Sequence, residues 1–361
     1  MAKKRPRRDR IRKISSSSQS VTLRDVARAA GVSPMTVSNV VRGQFRSMSK
    51  DTRAKVKNAI SALGYRPHRG ARSLKLAHRF SIGMLVVDES PRFLADPFIT
   101  ELVAGLSNFL SERGYDLVLQ GIRSRKLRNS TLFQNVQTDG LCVLLSGSSA
   151  ERTRTLKLLR GLRQPLVLFQ ERSPTGASDD LCVVRQNDRK GGWMLASLLL
   201  DGGDRDLLMV VPELEWPAIM ERAEGVREAI GQRKNEAFLS IIQVKDTFYE
   251  VQTAITRHLK RASVPDAILA GNDQIGFAVT KCLAARGLHV PHDVRVTGFN
   301  AFEFWRYADL ALTTVRSPAY DLGVRGGAEI LERLERGSFK ERDIVLPVEL
   351  WLGESTGAAS P

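Results

Sequence analysis

The sequence predicts an N-terminal all-α helix-turn-helix head joined to an α/β core of two doubly wound parallel-sheet lobes. Three observations predict it. Basic charge gathers at one end: residues 1–79 hold 21 Lys and Arg against three Asp, while the other 282 residues carry 34 basic and 36 acidic side chains. Between residues 22 and 64, three short stretches repeat apolar residues at helical spacing, with brief turns between them. From residue 80, short apolar runs alternate with amphipathic segments, the pattern of strands and helices wound in layers.

Residues 1–20, "MAKKRPRRDRIRKISSSSQS", are rich in Lys and Arg and lack the apolar stretch of a signal peptide. They read as a disordered basic arm with a serine-rich linker. The first helix follows in "TLRDVARAAG": Leu23, Val26, Ala27 and Ala30 share one face, Thr22 is a natural N-cap, Asp25 suits the first turn, and Gly31 takes the left-handed C-terminal position. Ser33 caps a second helix with Pro34 at its first position and Val37, Val40 and Val41 as its inward stripe. The third lies in "SKDTRAKVKNAISALG", with Val56, Ala59, Ile60 and Leu63 inward and Gly64 ending it. Two short helices joined by a glycine-containing turn are a helix-turn-helix, so residues 21–66 form a DNA-binding head. The structural alternative is an ordinary three-helix bundle with a charged surface. In a DNA-binding head the second helix enters the major groove and turns Met35, Thr36, Ser38 and Asn39 outward. Thr36 and Ser38 suit phosphate oxygens, Met35 a thymine methyl, and Asn39 a bidentate pair with adenine.

These residues carry a resemblance. "VTLRDVARAAGVSPMTVSNVVRG" and "MSKDTRAKVKNAISALGYRPHRGARSLK" resemble the head and hinge of the lactose/galactose repressor (LacI/GalR) family. The resemblance implies DNA contacts from Thr22, Ser33, Pro34, Met35, Thr36, Ser38, Asn39, Arg42 and Tyr65. It implies further contacts from Arg69, Ala71, Arg72, Leu74 and Lys75, in a hinge (67–79) whose helix, residues 68–75, forms when two subunits sit on DNA. Gly70 weakens the free segment as a helix, and Leu74 matches the family's minor-groove wedge. A simple flexible linker is the alternative. Asn39 stands where many members have Arg, and Pro34 and Met35 fill the two positions that vary most, so the operator is expected to differ from the well-known ones.

In the remainder, the runs "SIGMLVV", "YDLVLQ", "LCVLLS", "PLVLF", "LCVV", "DLLMVV", "LSIIQV", "AILAG", "VRVTGF" and "LTTV" read as strands. Neither GxGxxG after a strand nor GxxxxGK[ST] occurs, so nothing supports a dinucleotide or P-loop reading. Ligands of such sheets bind at the carboxyl ends of strands, here between two lobes. The family resemblance extends to "LPVELWLGEST" at 346–356 and implies a periplasmic-binding-protein-like core over 80–356. Lobe 1 would span about 80–185 and 317–345, lobe 2 about 186–316 and 346–356, with a tail at 357–361. The family's ligand positions map to Phe98, Arg222 and Asn272, and their structural alternatives are a core Phe98, a paired Arg222 and a helix-capping Asn272. Where the family often places acids this chain has Gln170, Gln186 and Asn300. Loss of those charges around an arginine suits an acidic effector such as a sugar acid or phosphate. A degenerate pocket is the competing reading, and Asp188 and Glu171 lie next to two of the three positions.

Cys142, Cys182 and Cys282 are isolated in apolar stretches and are expected to be buried thiols in a reducing cytoplasm. His289 and His292 lie in a Pro-containing loop where a surface role is expected over a metal, and no nucleophile–base set converges, so neither a metal, a cofactor nor an enzyme is expected. No leucine heptad follows "GESTGAASP", so the family's extra tetramerising coil is expected to be absent, and the resemblance implies a homodimer. The whole reads as a cytoplasmic transcription regulator, most simply a repressor, that binds a near-palindromic operator and answers to a small-molecule effector. Two alternatives stay open: a regulator answering to a protein partner or to no ligand, and a small-molecule-binding protein without regulatory role.

Overall fold

Hydroxyl caps set the helices of the head. The computed structural model describes residues 21–41, 43–45, 48–66, 78–135, 137–173, 180–233, 237–245 and 247–357. The basic arm, the hinge helix and the contacts assigned to Arg42, Arg69, Ala71, Arg72, Leu74 and Lys75 lie outside these residues. Two compact units divide the chain, residues 1–77 and 78–361.

In the head, α1 (Leu23–Ala30) opens with a capping box, Thr22 and Asp25 each closing on the other's backbone, and ends at Gly31 with φ 62°. In α2 (Pro34–Val41) the Ser33 hydroxyl accepts the Thr36 amide at 3.1 Å. In α3 (Lys50–Leu63) the Ser49 hydroxyl accepts the Thr52 amide at 3.1 Å. Val26, Val37 and Val56, all fully buried, meet Ala27, Val40 and Tyr65 to make the core. Val41 and Leu63, expected inward, are each 38% exposed. Helices of two to four turns cover only a narrow stripe of one another, and these two residues lie on its flanks.

In the larger unit, β1 (Ser81–Val87), β2 (Asp116–Ile122), β3 (Gly140–Leu145), β4 (Leu166–Phe169), β5 (Leu181–Gln186) and β11 (Asp343–Leu346) form a six-stranded sheet in the order β11-β5-β4-β3-β1-β2. Every pairing in it is parallel; Met84 faces Leu119 on one side and Cys142 on the other. A second parallel sheet, β7-β6-β8-β9, comprises β6 (Asp206–Pro212), β7 (Phe238–Val244), β8 (Ala267–Ala270) and β9 (Arg295–Thr297). The inner strands are buried along nearly their whole length, as parallel strands covered on both faces must be, while the edge strands β2 and β7 are largely open.

Three passages of the chain join the two sheets. After β5 the helix Asp188–Asp201 packs in the second lobe, where Leu195 and Leu199 meet Met209. After β10 (Thr314–Arg316) the helix Ala319–Arg336 packs in the first, where Leu322 and Ile330 meet Leu106. After β11 the chain returns as β12 (Glu349–Trp351), antiparallel to β10. Strands β11 and β12 are not among the apolar runs of the sequence, because Pro347 breaks "DIVLPVELW" into pieces of three and four residues.

Each lobe holds one close helix–helix crossing built on reciprocal glycines. A Cβ on Gly192 would stand 2.1 Å from the Arg222 carbonyl oxygen, and one on Gly225 1.9 Å from that of Arg189. In the other lobe, Gly105 and Gly323 meet the carbonyls of Tyr320 and Leu102 at 2.0 and 2.1 Å in the same sense. All three cysteines are free and buried. No described helix is long and apolar enough to cross a membrane.

Candidate functional site

Two places bring functional side chains together. The first is α2. With Val37 and Val40 turned into the head core, Met35 stands 62% exposed, and Thr36, Ser38 and Asn39 are half-buried along the same short helix. Ser33 and Thr36 hydroxyls share a 2.9 Å hydrogen bond, so both are oriented before any ligand arrives. Thr22 is exposed, its hydroxyl donating to Asp25 at 2.6 Å, and these contacts hold the Asp25 carboxyl below the usual carboxylate range. Tyr65 belongs to the head's core, only 8% exposed, and burial raises its phenol. Among the residues assigned to DNA contact it is the one whose packing role is plain.

The second place lies at the carboxyl ends of β4, β5, β8 and β9, where parallel sheets bind ligands. Gln170 follows β4 with φ 56°, Gln186 ends β5, and Asn300 follows β9 with φ 117°; the two positive values are backbone conformations that L-residues adopt only when their surroundings demand it. Arg222 reaches in from the helix Pro217–Gln232. All four are buried, and they meet around a fifth residue, Asp188. Asp188 Oδ1 accepts from Arg222 Nε and from Gln186 Nε2, both at 2.8 Å, and Oδ2 accepts from Gln170 Nε2 at 2.9 Å. Arg222 donates its Nη1 to the Gly271 carbonyl at 2.5 Å and points Nη2 at Asn300 Oδ1, 3.5 Å away. Its guanidinium lies over the Phe299 ring, 3.6 Å from the centroid. The amides are tied in turn: Gln170 Oε1 accepts the Gln186 backbone amide at 2.8 Å, and Gln186 Oε1 accepts the Ser317 hydroxyl at 2.5 Å. Burial holds the Asp188 carboxyl above its ordinary range against the pull of Arg222.

The other two expected ligand positions sit apart from this network. Asn272 Oδ1 accepts the Ile275 amide at 2.8 Å as the N-cap of the helix Asp273–Ala284. Phe98, in the first turn of the helix Pro97–Glu112, is half-buried against the first lobe's core. Ser317 and Phe299 join the site without having been singled out by the sequence, and Asp188, noted there as an acid beside one of the amide positions, is the centre of the network. Asp188 also has a local signal, an acid in the first turn of a helix directly after a strand. The space beside the network, lined by Gln170, Gln186, Asp188, Arg189, Pro217 and Glu221, is about 20 Å³, room for one water at most. Among the described residues no group of three or more His, Cys, Asp or Glu is arranged to hold a metal.

Next to the network, Asp273 is buried at 1% exposure, taking the Thr314 hydroxyl on Oδ1 and the Ala301 amide on Oδ2, each at 2.6 Å. Burial raises its carboxyl from 3.8 to about 6. The folded chain therefore binds a proton there that the unfolded chain releases between those two values, so this group subtracts stability as pH rises through that window. Asp273→Asn is expected to remove this group's contribution, so that on acidification from pH 7 to 5 the variant's urea midpoint gains less than the unmutated chain's; identical pH profiles of the two chains would remove Asp273 as a source of pH dependence.

Comparison with known proteins gives the following. Residues 22–68 match the model of the bacterial regulatory proteins of the lacI family, and residues 196–356 match that of a periplasmic binding protein-like domain. The ribose operon repressor of Escherichia coli K12 is 31% identical over 336 residues, spanning 90% of this chain and 96% of that protein. The transcriptional repressor PurR of Vibrio parahaemolyticus is 29% identical over 336 residues, spanning 91% and 96%. Among solved structures, a complex of the transcriptional regulator CelR with cellobiose is 28% identical, with a TM-score of 0.66 over 93% of this chain and 99% of the other. The lac repressor dimer bound to operator and an anti-inducer shares the fold at a TM-score of 0.81 and 22% identity, over 93% and 99%.

Proposed function

Since the chain belongs to the lacI family of bacterial regulatory proteins, we propose that it is a transcriptional repressor that binds a near-palindromic operator as a homodimer and answers to a small molecule between the lobes of its core. The observation that carries this reading is α2, a capped helix that buries two valines and leaves Met35, Thr36, Ser38 and Asn39 on one accessible stretch. A two-fold dimer places two such helices in successive major grooves, one per half-site. Ser33, Thr36 and Ser38 with the helix N-terminus take phosphate oxygens, and Met35 and Asn39 read base edges. The hinge residues Arg69, Ala71, Arg72, Leu74 and Lys75, with Arg42, complete the interface in this reading, and the basic arm adds phosphate contacts that steepen the salt dependence. Such a protein works in the cytoplasm, on the nucleoid when bound. Gln170, Gln186, Arg222 and Asn300 are the polar wall of the effector site, with Phe98 and Asn272 at its margin. The lobes would close or twist around a ligand, and the effect on DNA follows from the ligand's differential affinity for the two states.

Selection of bound DNA from random duplexes across a range of salt tests the reading. Enrichment of a palindrome with a flexible central step supports the dimer and the wedge together; binding that falls steeply with salt and enriches nothing leaves only the arm. Asn39→Ala is expected to relax preference at one base pair of each half-site by about 1–3 kcal/mol, a loss of roughly 5- to 150-fold in discrimination. Enrichment identical to the unmutated chain's would remove Asn39 from base readout.

A further inference from the structure

We propose that Gln170, Gln186 and Arg222 form a carboxylate cradle that Asp188 occupies as a tethered ligand, and that the effector is a small carboxylic acid that takes its place. The inference rests on the effector reading above and names the ligand's chemistry. Three donors from three separate elements, the ends of β4 and β5 and the helix Pro217–Gln232, converge on two oxygens at 2.8–2.9 Å. Such a donor set fits a planar anion.

The amides explain one another through that anion. A carboxylate at 170 or 186 would face the Asp188 carboxylate across a hydrogen-bond distance and repel it; an amide turns its NH2 toward it and donates. Each amide is also held in that orientation from behind, Gln170 by the Gln186 backbone amide and Gln186 by Ser317. The positive φ at Gln170 adds a conformational cost that the surrounding contacts must offset. Taken together, the two glutamines, the serine and the strained backbone shape a receptor for a carboxylate, and the chain supplies its own.

The space beside the cradle is about 20 Å³, and the cradle's three donors are already taken by Asp188. A ligand that takes those donors must therefore displace Asp188. It is the first residue of the helix Asp188–Asp201, directly before the exposed Arg189 and Lys190. A neutral ligand gives Arg222 and the two amides no replacement charge, whereas a carboxylic acid restores every donor's partner. Buried polar groups left without partners cost more than the contacts themselves return, so the cradle selects for the acid.

The test uses the full chain and formate, the smallest carboxylate. Asp188→Ala opens the cradle, and its melting temperature is expected to fall by several degrees and to recover in sodium formate but not in sodium chloride of equal ionic strength. The variant's affinity for formate should exceed the unmutated chain's by about tenfold or more, because a tethered competitor at high effective concentration has been removed. Adding Arg222→Ala to the variant should abolish the response. Should Asp188→Ala fail to fold in chloride, refolding yield in formate against chloride gives the same readout, and Asp188→Asn, which fills the cradle without charge, should fold and ignore formate. Equal response of the Ala variant to formate and chloride would overturn the proposal, as would stabilisation of both chains by neutral sugars alone. Operator selection run on the same samples separates the two readings. Palindrome enrichment without a formate response sinks the cradle, and a formate response without enrichment upholds the cradle and sinks the operator reading.

Discussion

Gly225→Ala is expected to unfold the second lobe at denaturant concentrations where the unmutated chain is intact. Helix propensity argues the other way, since replacing a mid-helix glycine by alanine ordinarily stabilises by up to about 1 kcal/mol. Packing decides the sign. The added methyl would stand 1.9 Å from the Arg189 carbonyl oxygen and 2.8 Å from the Trp193 amide nitrogen, and both are backbone atoms of the facing helix with no rotamer to change. The helices Asp188–Asp201 and Pro217–Gln232 would have to separate, loosening Ala196, Leu199, Val226 and Ala229 together. A cost of about 3 kcal/mol or more follows, at the upper end for overpacked cores. Separation also drags Asp188 from Arg222, since one stands on each helix. Urea unfolding followed by tryptophan fluorescence reads this lobe through Trp193. Gly64→Ala is the control: at φ 60° with nothing within 4 Å of its Cβ, it should cost only the roughly 1–2 kcal/mol of a left-handed residue, confined to the head.

Val37→Asp is expected to abolish operator binding while leaving the core's melting transition in place. Val37 is fully buried among Val26, Ala27, Val40, Val56 and Tyr65, the buried core of the head among the described residues. A head of this size holds about 2–7 kcal/mol of stability by the usual per-residue range. An unpaired carboxylate in its centre costs several kcal/mol, enough to consume it. Because the head and the larger unit are separate compact units, calorimetry should lose one transition and keep the other. A variant that still binds operator within tenfold of the unmutated chain would show that the valine is not central to the head.

Local chemistry makes much of the fold legible in the residues themselves. Thr22, Asp25 and Gly31 announce α1 because caps and the left-handed exit depend on a few neighbouring residues. The inner strands announce themselves because a strand covered on both faces reads as an unbroken apolar run. Pairing order is not legible, since nothing local to "DIVL" says that it joins the edge beside β5. The candidate ligand wall is half legible. Gln170, Gln186, Arg222 and Asn300 stand out one by one, and Asp188 only as an acid beside one of them; that it gathers Gln170, Gln186 and Arg222 is not legible, because the contact between Asp188 and Arg222 spans 34 residues and two helices. Val41 and Leu63 fit the helical period and still face water. Periodicity tells which residues share a face, and only the neighbouring helix tells how wide the covered stripe is.

The three passages between the sheets have a consequence for how the molecule is made. The first sheet lacks its edge until residues 343–346 arrive, and β10 lacks its partner until residues 349–351 do. Neither lobe is complete on a ribosome that has yet to deliver residues 343–351, whereas the head's three helices, which end at residue 63, emerge long before them. At the usual pace of translation the core waits many seconds with unpaired strand edges after the head can fold. A nascent chain of this protein is thus a finished reader attached to an unfinished sensor, and the sensor is finished only once residues 343–351 have arrived.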